Sequence, residues 1–260
     1  MVQLAEISWT DAEELFKRTD VVLIPVGSTE QHGPHNPLGT DHLVAGALAR
    51  VVGERTGVAA LPTIPVGVSE HHRHFPGTLW VPPAAFREYV KAVALSAASH
   101  GAKKIIFVNG HGGNTASLLE VAGELRRNHK VFSAVIMAFP PGMAGHAGAG
   151  ETSVNLYFHR ELVRMDRAVD TRQKEGLGPL KMEGLGRVGP AQFPWDTIDL
   201  SETGVLGAAG EVIASTKASE EEGRRLMEPY IEEVCRFIEE LKVAKVEELV
   251  SKPWEVEGFK

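Results

Sequence analysis

Short unbroken apolar runs alternate along this chain with longer stretches of helical spacing. Residues 21–26 (VVLIPV), 105–108 (IIFV) and 131–138 (VFSAVIMA) read as buried strands, and 59–66 as a proline-marked strand or extended segment. Between them, residues 41–54, 82–100 and 115–128 read as helices, and 151–160 starts another. The third places Leu118, Leu119, Ala122 and Leu125 at helical intervals. The second has Pro82 and Pro83 near its first turn and Gly101 just past its end. Residues 217–242 read as a long C-terminal helix that Pro229 breaks or kinks.

Strands that are apolar throughout, separated by helices, imply a parallel sheet covered on both faces. The expected fold is α/β, a three-layer sandwich with a mostly parallel central sheet. No internal repeat or linker divides the chain, so residues 1–260 are expected to form one domain. Residues 163–210 are rich in Gly and Pro with little periodicity, and read as a long loop excursion with room for short strands.

Charge narrows the partners. A formal net charge of -7 argues against nucleic acid or an anionic membrane surface. The single cysteine, Cys235, forbids an intrachain disulfide and reads as a small core residue. The N-terminus has no basic region followed by an apolar run, and no segment reaches the ~20 apolar residues that span a bilayer. The expectation is a soluble, cytoplasmic protein.

In parallel sheets ligands bind beyond the carboxyl ends of the strands, and three strand ends here run into polar residues. GSTEQHGPHNPLGTDH (27–42) follows the first, with Glu30 and His32 two residues apart. On extended chain that spacing puts a carboxylate and an imidazole on one side, a start for a divalent-metal site. Asp41 opens the next helix, as a ligand or only as a helix-terminus carboxylate. His35 and His42 read as lying outside the ligand set. NGHGGN (109–114) follows the second strand end, with His111 as a ligand and Asn114 as a helix cap. It lacks the phosphate-loop lysine and does not match GxGxxG. GHAGAGETS (145–153) follows the third: Glu151 as ligand, general base or helix carboxylate, and His146 polarising a carbonyl or shuttling a proton. GVSEHHRHFPGT (67–78) carries three histidines in four positions, read as substrate contacts or support rather than primary ligands. Neither a GxSxG elbow nor a plausible cysteine nucleophile is present.

At these residues the chain resembles the creatininase (creatinine amidohydrolase) family: GSTEQHGPH followed by Asp41, HFPGT at 74–78, NGHGGN at 109–114 and GETS at 150–153. The resemblance implies a metal pair, with Glu30 and His111 on one ion, His32 on the other and Asp41 bridging. It also implies a homo-oligomer, commonly a hexamer, and the candidate metals are Zn, Fe and Mn. His146 and Glu151 would be catalytic, and His74, Gly112, Gly113 and Asn114 would contact substrate. Two departures separate the chain from creatinine hydrolases. Those read NGHYEN where this chain has NGHGGN, so Gly113 replaces a ligating glutamate, which leaves the second ion to Glu151 or water. They also carry pocket tryptophans after the fourth strand, where this chain reads AFPPGMAG. The glycine loop is nearer to deformylase-like members of the family.

Three functions remain in play. The first is divalent-metal hydrolysis of a non-peptide C–N bond in a small molecule, such as a formamide. Its sharpest form, a formylamino-pyrimidine nucleotide, needs a phosphate contact, for which Arg73 or Lys181 is available. The second is a metallopeptidase trimming a short or modified peptide. The third is a non-catalytic nucleotide-binding protein on the same fold. Creatinine itself is disfavoured.

Overall fold

The computed structural model of the chain describes residues 2–143 and 145–250. Four strands, β1 (Val21–Val26), β2 (Ala59–Ala60), β3 (Lys104–Asn109) and β4 (Phe132–Met137), run parallel and pair in the order β2–β1–β3–β4. All six residues of β1 and of β3 are buried, which is why both read as apolar runs without alternation. β2 is shorter than its apolar run because Pro62 and Pro65 have no N–H to give a ladder; only a bridge from Val26 to Ile64 extends the pairing.

Successive strand side chains divide between two cores. Val22, Ile24, Ile105 and Phe107 pack against Leu15 of α1 (Trp9–Arg18), Phe86 and Val90 of α3 (Pro83–Ser99), and Leu118 and Leu125 of α4 (Thr115–Asn128). Val21, Leu23, Ile106 and Val108 pack against Val44 and Leu48 of α2 (Thr40–Thr56), Val154 of α5 (Ala149–His159), and Met227, Ile231 and Ile238 of α6 (Glu220–Val243). The expected three layers are therefore present. α1 was not read from the sequence, although Ser8 and Asp11 form a reciprocal cap at its start. Pro229 does not break α6: the helix runs through it from Glu220 to Val243, with the proline on the exposed side. Cys235 is half-buried at the edge of the second core.

The chain between α5 and α6 is not one loop. β5 (Asp170–Arg172) pairs antiparallel with Val212–Ala214, and β6 (Gly176–Leu177), β7 (Leu180–Glu183), β8 (Arg187–Val188) and β9 (Ala191–Gln192) form a small antiparallel sheet. A helical turn, Thr197–Leu200, follows. This cap has its own small core of Met182, Leu200 and Leu206. Among the described residues no helix is long and apolar enough to cross a membrane.

The order β2–β1–β3 makes the gap between β1 and β3 the place where the winding direction changes, and there ligands enter such sheets. α2 starts in this gap so closely that a Cβ on Gly110 would stand 2.1 Å from the Asp41 carbonyl oxygen. Only glycine lets the helix bring Asp41 to the mouth of β3.

Candidate metal centre at the strand ends

Beyond β1 the chain stays extended. Thr29 bridges to Leu79, the Glu30 N–H donates to the Leu38 carbonyl at 2.8 Å, and the Gln31 N–H donates to Thr78 Oγ1 at 3.2 Å. Glu30 and His32 consequently turn the same way, and both are fully buried. Beyond β3, Asn109 Oδ1 accepts the His111 N–H at 3.1 Å and sets the direction of that side chain. Asp41 arrives from the first turn of α2.

The four side chains converge. His32 Nε2 lies 3.1 Å from Asp41 Oδ1, and His111 Nδ1 lies 3.2 Å from Asp41 Oδ2 and 3.1 Å from Glu30 Oε2. Each histidine turns its other nitrogen to a backbone acceptor: His111 Nε2 donates to the Val68 carbonyl at 2.9 Å, and His32 Nδ1 to the Glu30 carbonyl at 3.2 Å. The inward nitrogens of the neutral rings are then lone pairs. Both Glu30 oxygens, Asp41 Oδ2 and His32 Nε2 have no hydrogen-bond partner, although all are buried. Unpaired buried carboxylates are costly. Donors held ~2.1 Å from one ion stand ~3.0–3.4 Å apart, the spacing seen here. The residues fit a divalent metal, and Glu30–Asp41–His111 and Glu30–His32–His146 are two sets whose donor atoms all lie within 4.8 Å of one another.

In the metal-free chain these charges must balance among themselves. Burial pushes the Glu30 carboxyl up, with His111 opposing. Burial works against a proton on His32, but the Asp41 carboxylate outweighs it and raises the imidazole to about 9. His111 is raised likewise, burial being overcome by Glu30 and Asp41. Asp41, despite its burial, is held below the usual carboxylate range by His32 and His111.

Glu151, in the first turn of α5, points to the same centre. Its Oε2 is 3.9 Å from His32 Nε2 and accepts the Ala147 N–H at 2.6 Å. Ala147 takes a left-handed conformation to make that bond, with φ of 56°. Burial lifts the Glu151 carboxyl to about 7. His146 packs against His32, ring centres 4.2 Å apart and planes tilted by 32°, with Nδ1 3.9 Å from Glu30 Oε1.

A cleft of about 550 Å³ opens over these groups, lined by Glu30, Asp41, His111, Gly112, Gly113, His146 and Glu151, and on the far side by Leu185, Pro194 and Trp195 of the cap. The glycines form its floor. A Cβ on Gly113 would meet both His111 Nε2 and Val68 O at 2.4 Å, so the bond that orients His111 occupies the space a side chain there would need.

The other candidate residues fall in different places. His74 is exposed and does not line the cleft. The inward members of that histidine run are His71 and His72, held by a helical turn, Glu70–His72. His72 Nε2 is 3.2 Å from Glu30 Oε1, and His71 stacks on His111 at 5.5 Å. Burial pushes both imidazoles down, His71 to about 4. Asn114 does not line the cleft, and although it stands at the N-cap position of α4 its side chain makes no capping bond. It is buried, donating to the Gly27 carbonyl at 3.0 Å and accepting the Val68 N–H at 2.8 Å, so it ties the strand end to the histidine loop. Arg73 is not free for a phosphate: it makes a two-pronged pair with Asp196 at 2.6 and 2.7 Å. His35 is buried against Thr152 Oγ1 at 2.8 Å, and His42 Nδ1 faces the Ser28 carbonyl at 2.9 Å. A tryptophan does reach the cleft, but Trp195 comes from the cap and not from the segment after β4. Its only sequence signal was an aromatic beside Pro194 in a glycine-rich stretch.

Known proteins match this chain over nearly its whole length. A mycofactocin precursor peptide peptidase of Mycobacterium tuberculosis is 33% identical over 245 residues, covering 90% of this chain and 91% of that protein. A creatinine amidohydrolase of Pseudomonas putida is 27% identical over 268 residues, covering 92% and 96%. The crystal structure of creatinine amidohydrolase superposes with a TM-score of 0.78 at 25% identity, covering 94% of this chain and 99% of that one. Creatininase structures of this fold include a Zn-Zn type and a manganese form. Residues 5–238 match the family described as creatinine amidohydrolase, and with fold and sequence agreeing over that span, the chain belongs to the creatininase family of hydrolases.

Proposed function

We propose that this chain is a divalent-metal-dependent amidohydrolase cleaving the C–N bond of a small linear amide or formamide, with two ions of Zn, Fe or Mn per chain. The observation that supports it most is the convergence of Glu30, Asp41, His111 and His32 with buried donor atoms that find no hydrogen-bond partner. These four residues would hold the metal, which when bound polarises the amide carbonyl and acidifies water at the site. The protein's own groups do the rest. Asp41 turns one oxygen to each of two histidines, so it would be available to both ions if two bind. Glu151 is buried with a carboxyl near neutrality, suited to take a proton and pass it to the leaving nitrogen. Gly112 and Gly113 let substrate approach the backbone at the floor of the cleft, and Leu185, Pro194 and Trp195 of the cap offer it an apolar wall. Creatinine is disfavoured, since Gly113 carries no carboxylate.

A second reading is a metallopeptidase. It is favoured by the apolar far wall of Leu185, Pro194 and Trp195, which suits a peptide side chain, and by the relative named a peptidase. The nucleotide form of the first reading is weakened, because Arg73 is engaged by Asp196 and Lys181 is exposed outside the residues that line the cleft.

The test is elemental analysis of protein purified without added metal, beside Asp41→Ala and His111→Ala, followed by product analysis on formamides, linear amides, creatinine and short peptides. Two divalent ions, lost in the variants, with turnover of a formamide or linear amide, is the expected result. Turnover confined to peptides moves the assignment to the second reading. Full activity after rigorous chelation would sink metal dependence itself.

A further inference from the structure

Two of the inward imidazoles share a wiring: the far nitrogen of His111 donates to the Val68 carbonyl, and that of His32 to the Glu30 carbonyl. Metal-binding histidines are held this way, the outer N–H fixing both ring orientation and tautomer. His146 repeats the pattern. Its Nε2 lies 2.8 Å from the backbone carbonyl of Gln31 and 2.9 Å from that residue's side-chain nitrogen. Counting hydrogens decides between these neighbours. Gln31 Oε1 accepts the Gly33 N–H at 3.0 Å, which orients the amide. Its two hydrogens then have acceptors in the Gly204 carbonyl at 3.1 Å and His72 Nδ1 at 2.9 Å, a nitrogen that Thr197 Oγ1 also faces at 2.7 Å. His146 Nε2 is left with the Gln31 carbonyl, its nearer neighbour at 2.8 Å. A carbonyl oxygen only accepts, so His146 Nε2 carries the proton and its Nδ1 is a lone pair facing Glu30 Oε1 and His32.

The same count gives the opposite result for His72. Its Nδ1 accepts from Gln31, so its proton sits on Nε2, on the side of Glu30 Oε1. One buried glutamine, between two of the candidate ligands in sequence, thus sets two stacked histidines to different tasks.

We propose that His146 Nδ1 is a metal donor, completing a second ion set with Glu30 and His32, and that Gln31 positions it. The proposal rests on the metal-dependent reading above and replaces the carbonyl-polarising or proton-shuttling role suggested by the sequence. Three observations support it independently of the hydrogen count. Glu30 is fully buried with neither oxygen in a hydrogen bond of good geometry, Oε2 facing His111 and Oε1 facing His72 and His146. Position 113 has no room for a carboxylate that would otherwise complete the second set. The His146 backbone is pinned to Leu206 by two hydrogen bonds, at 2.7 and 2.9 Å, so the ring is placed before any ion arrives.

The test is metal affinity, with Zn²⁺ and Mn²⁺ titrated into metal-depleted protein against a competing chelator. Wild type, His146→Ala and Gln31→Leu are compared, with circular dichroism and melting of the metal-free forms as the fold check. The expected result is that His146→Ala loses one ion, or binds it more than ~100-fold more weakly, while the other affinity stands. Gln31→Leu, which keeps the imidazole, should weaken the same ion by roughly 10–100-fold. Unchanged affinities in a folded His146→Ala, with lower turnover, would overturn the proposal and leave metal dependence intact. If His146→Ala does not fold, Gln31→Leu decides: an unchanged ion count and affinity there overturns the proposal. No binding by wild type would instead sink the metal-dependent reading, a failure visible before any variant is examined.

Discussion

The rim made by the ends of β1 and β3 holds Glu30, His32, Asp41 and His111 at 5% exposure or less, each imidazole tied to a backbone carbonyl. Across the cleft, the cap presents Leu185, Pro194 and Trp195 from short strands and turns and is clamped to the 69–73 loop through Arg73–Asp196 and Thr197–His72. The first surface is built on the most buried strands of the sheet and is suited to chemistry that tolerates no drift. The second sits on a small core of its own, with a half-exposed ion pair among its fasteners. Such segments open at low cost, which suits the selection of a substrate. The rim should therefore govern whether the reaction occurs, and the cap which molecule undergoes it.

The largest effect should come from breaking the rim. Asp41→Ala removes a carboxylate that faces two histidines, and kcat/KM should fall on the order of 1000-fold or more, since metal catalysis supplies several kcal/mol. Chelation should do the same reversibly. A variant that keeps both its metal and its activity would show that the rim is not the reactive side. Chelated protein should also carry a signature in its stability. His32 is raised from 6.5 to about 9 in the folded chain, so its contribution is complete below pH 6.5 and is lost as pH rises through 9. The upward-shifted His111 acts in the same sense. The chelated melting temperature should fall across that window. Metal-loaded protein should not follow it, because the ion displaces those protons. Parallel curves with and without metal would refute this.

Gly113→Ala tests how little movement the rim allows. The added Cβ would stand 2.4 Å from His111 Nε2 and Val68 O, so the orienting bond must break. Losing such an outer bond typically costs 10–100-fold in metal affinity. Unaltered affinity would mean that the Val68 loop yields easily and that the rim is less rigid than the cap.

The same contrast explains what could be read from the sequence. β1 and β3 were legible because strands buried on both faces leave unbroken apolar runs, and the rule that ligands meet strand ends then carried Glu30, His32, Asp41 and His111 to one place. The cap was not legible. Its strands are two to four residues long and mostly exposed, too short for any period to register. The sequence alone does not separate His74 from His71 and His72, because a run of histidines does not reveal which way each points. That is decided by the turn Glu70–His72 and by contacts with Thr197, more than a hundred residues away. Gln31 carried no signal either, since its role appears only when His72, His146 and Gly204 are gathered around it.

On the cap side, Trp195→Ala should leave the metal content unchanged and raise KM, lowering kcat/KM by roughly 10–100-fold, the value of one apolar pocket contact. Trp195 meets His71 edge-on, ring centres 5.3 Å apart, and leans on Gly186, where a Cβ would stand 2.6 Å from its ring. Its place is therefore fixed from both sides. A loss of kcat with KM unchanged would put the cap into the chemistry and erase the proposed division.

The smallest effect should come from Arg73→Ala. The pair with Asp196 is two-pronged, but the arginine side chain is 40% exposed, and exposed pairs contribute about 0–1 kcal/mol. The melting temperature should hardly move, and the ion count should not change. What should change is the freedom of the cap: faster amide exchange or proteolysis within residues 176–200, and a KM several-fold higher. Asp196→Ala should give the same phenotype, and the double variant little more than either alone, as expected when two residues act through one contact. The comparison is sharpest here, because Arg73 follows directly on His72, whose ring is 3.2 Å from Glu30. If loosening the cap also weakened metal binding, the two surfaces would be one unit coupled through the 69–73 loop. If metal affinity holds while KM rises, rim and cap are separable, and substrate choice can be altered from the cap without disturbing the metal centre.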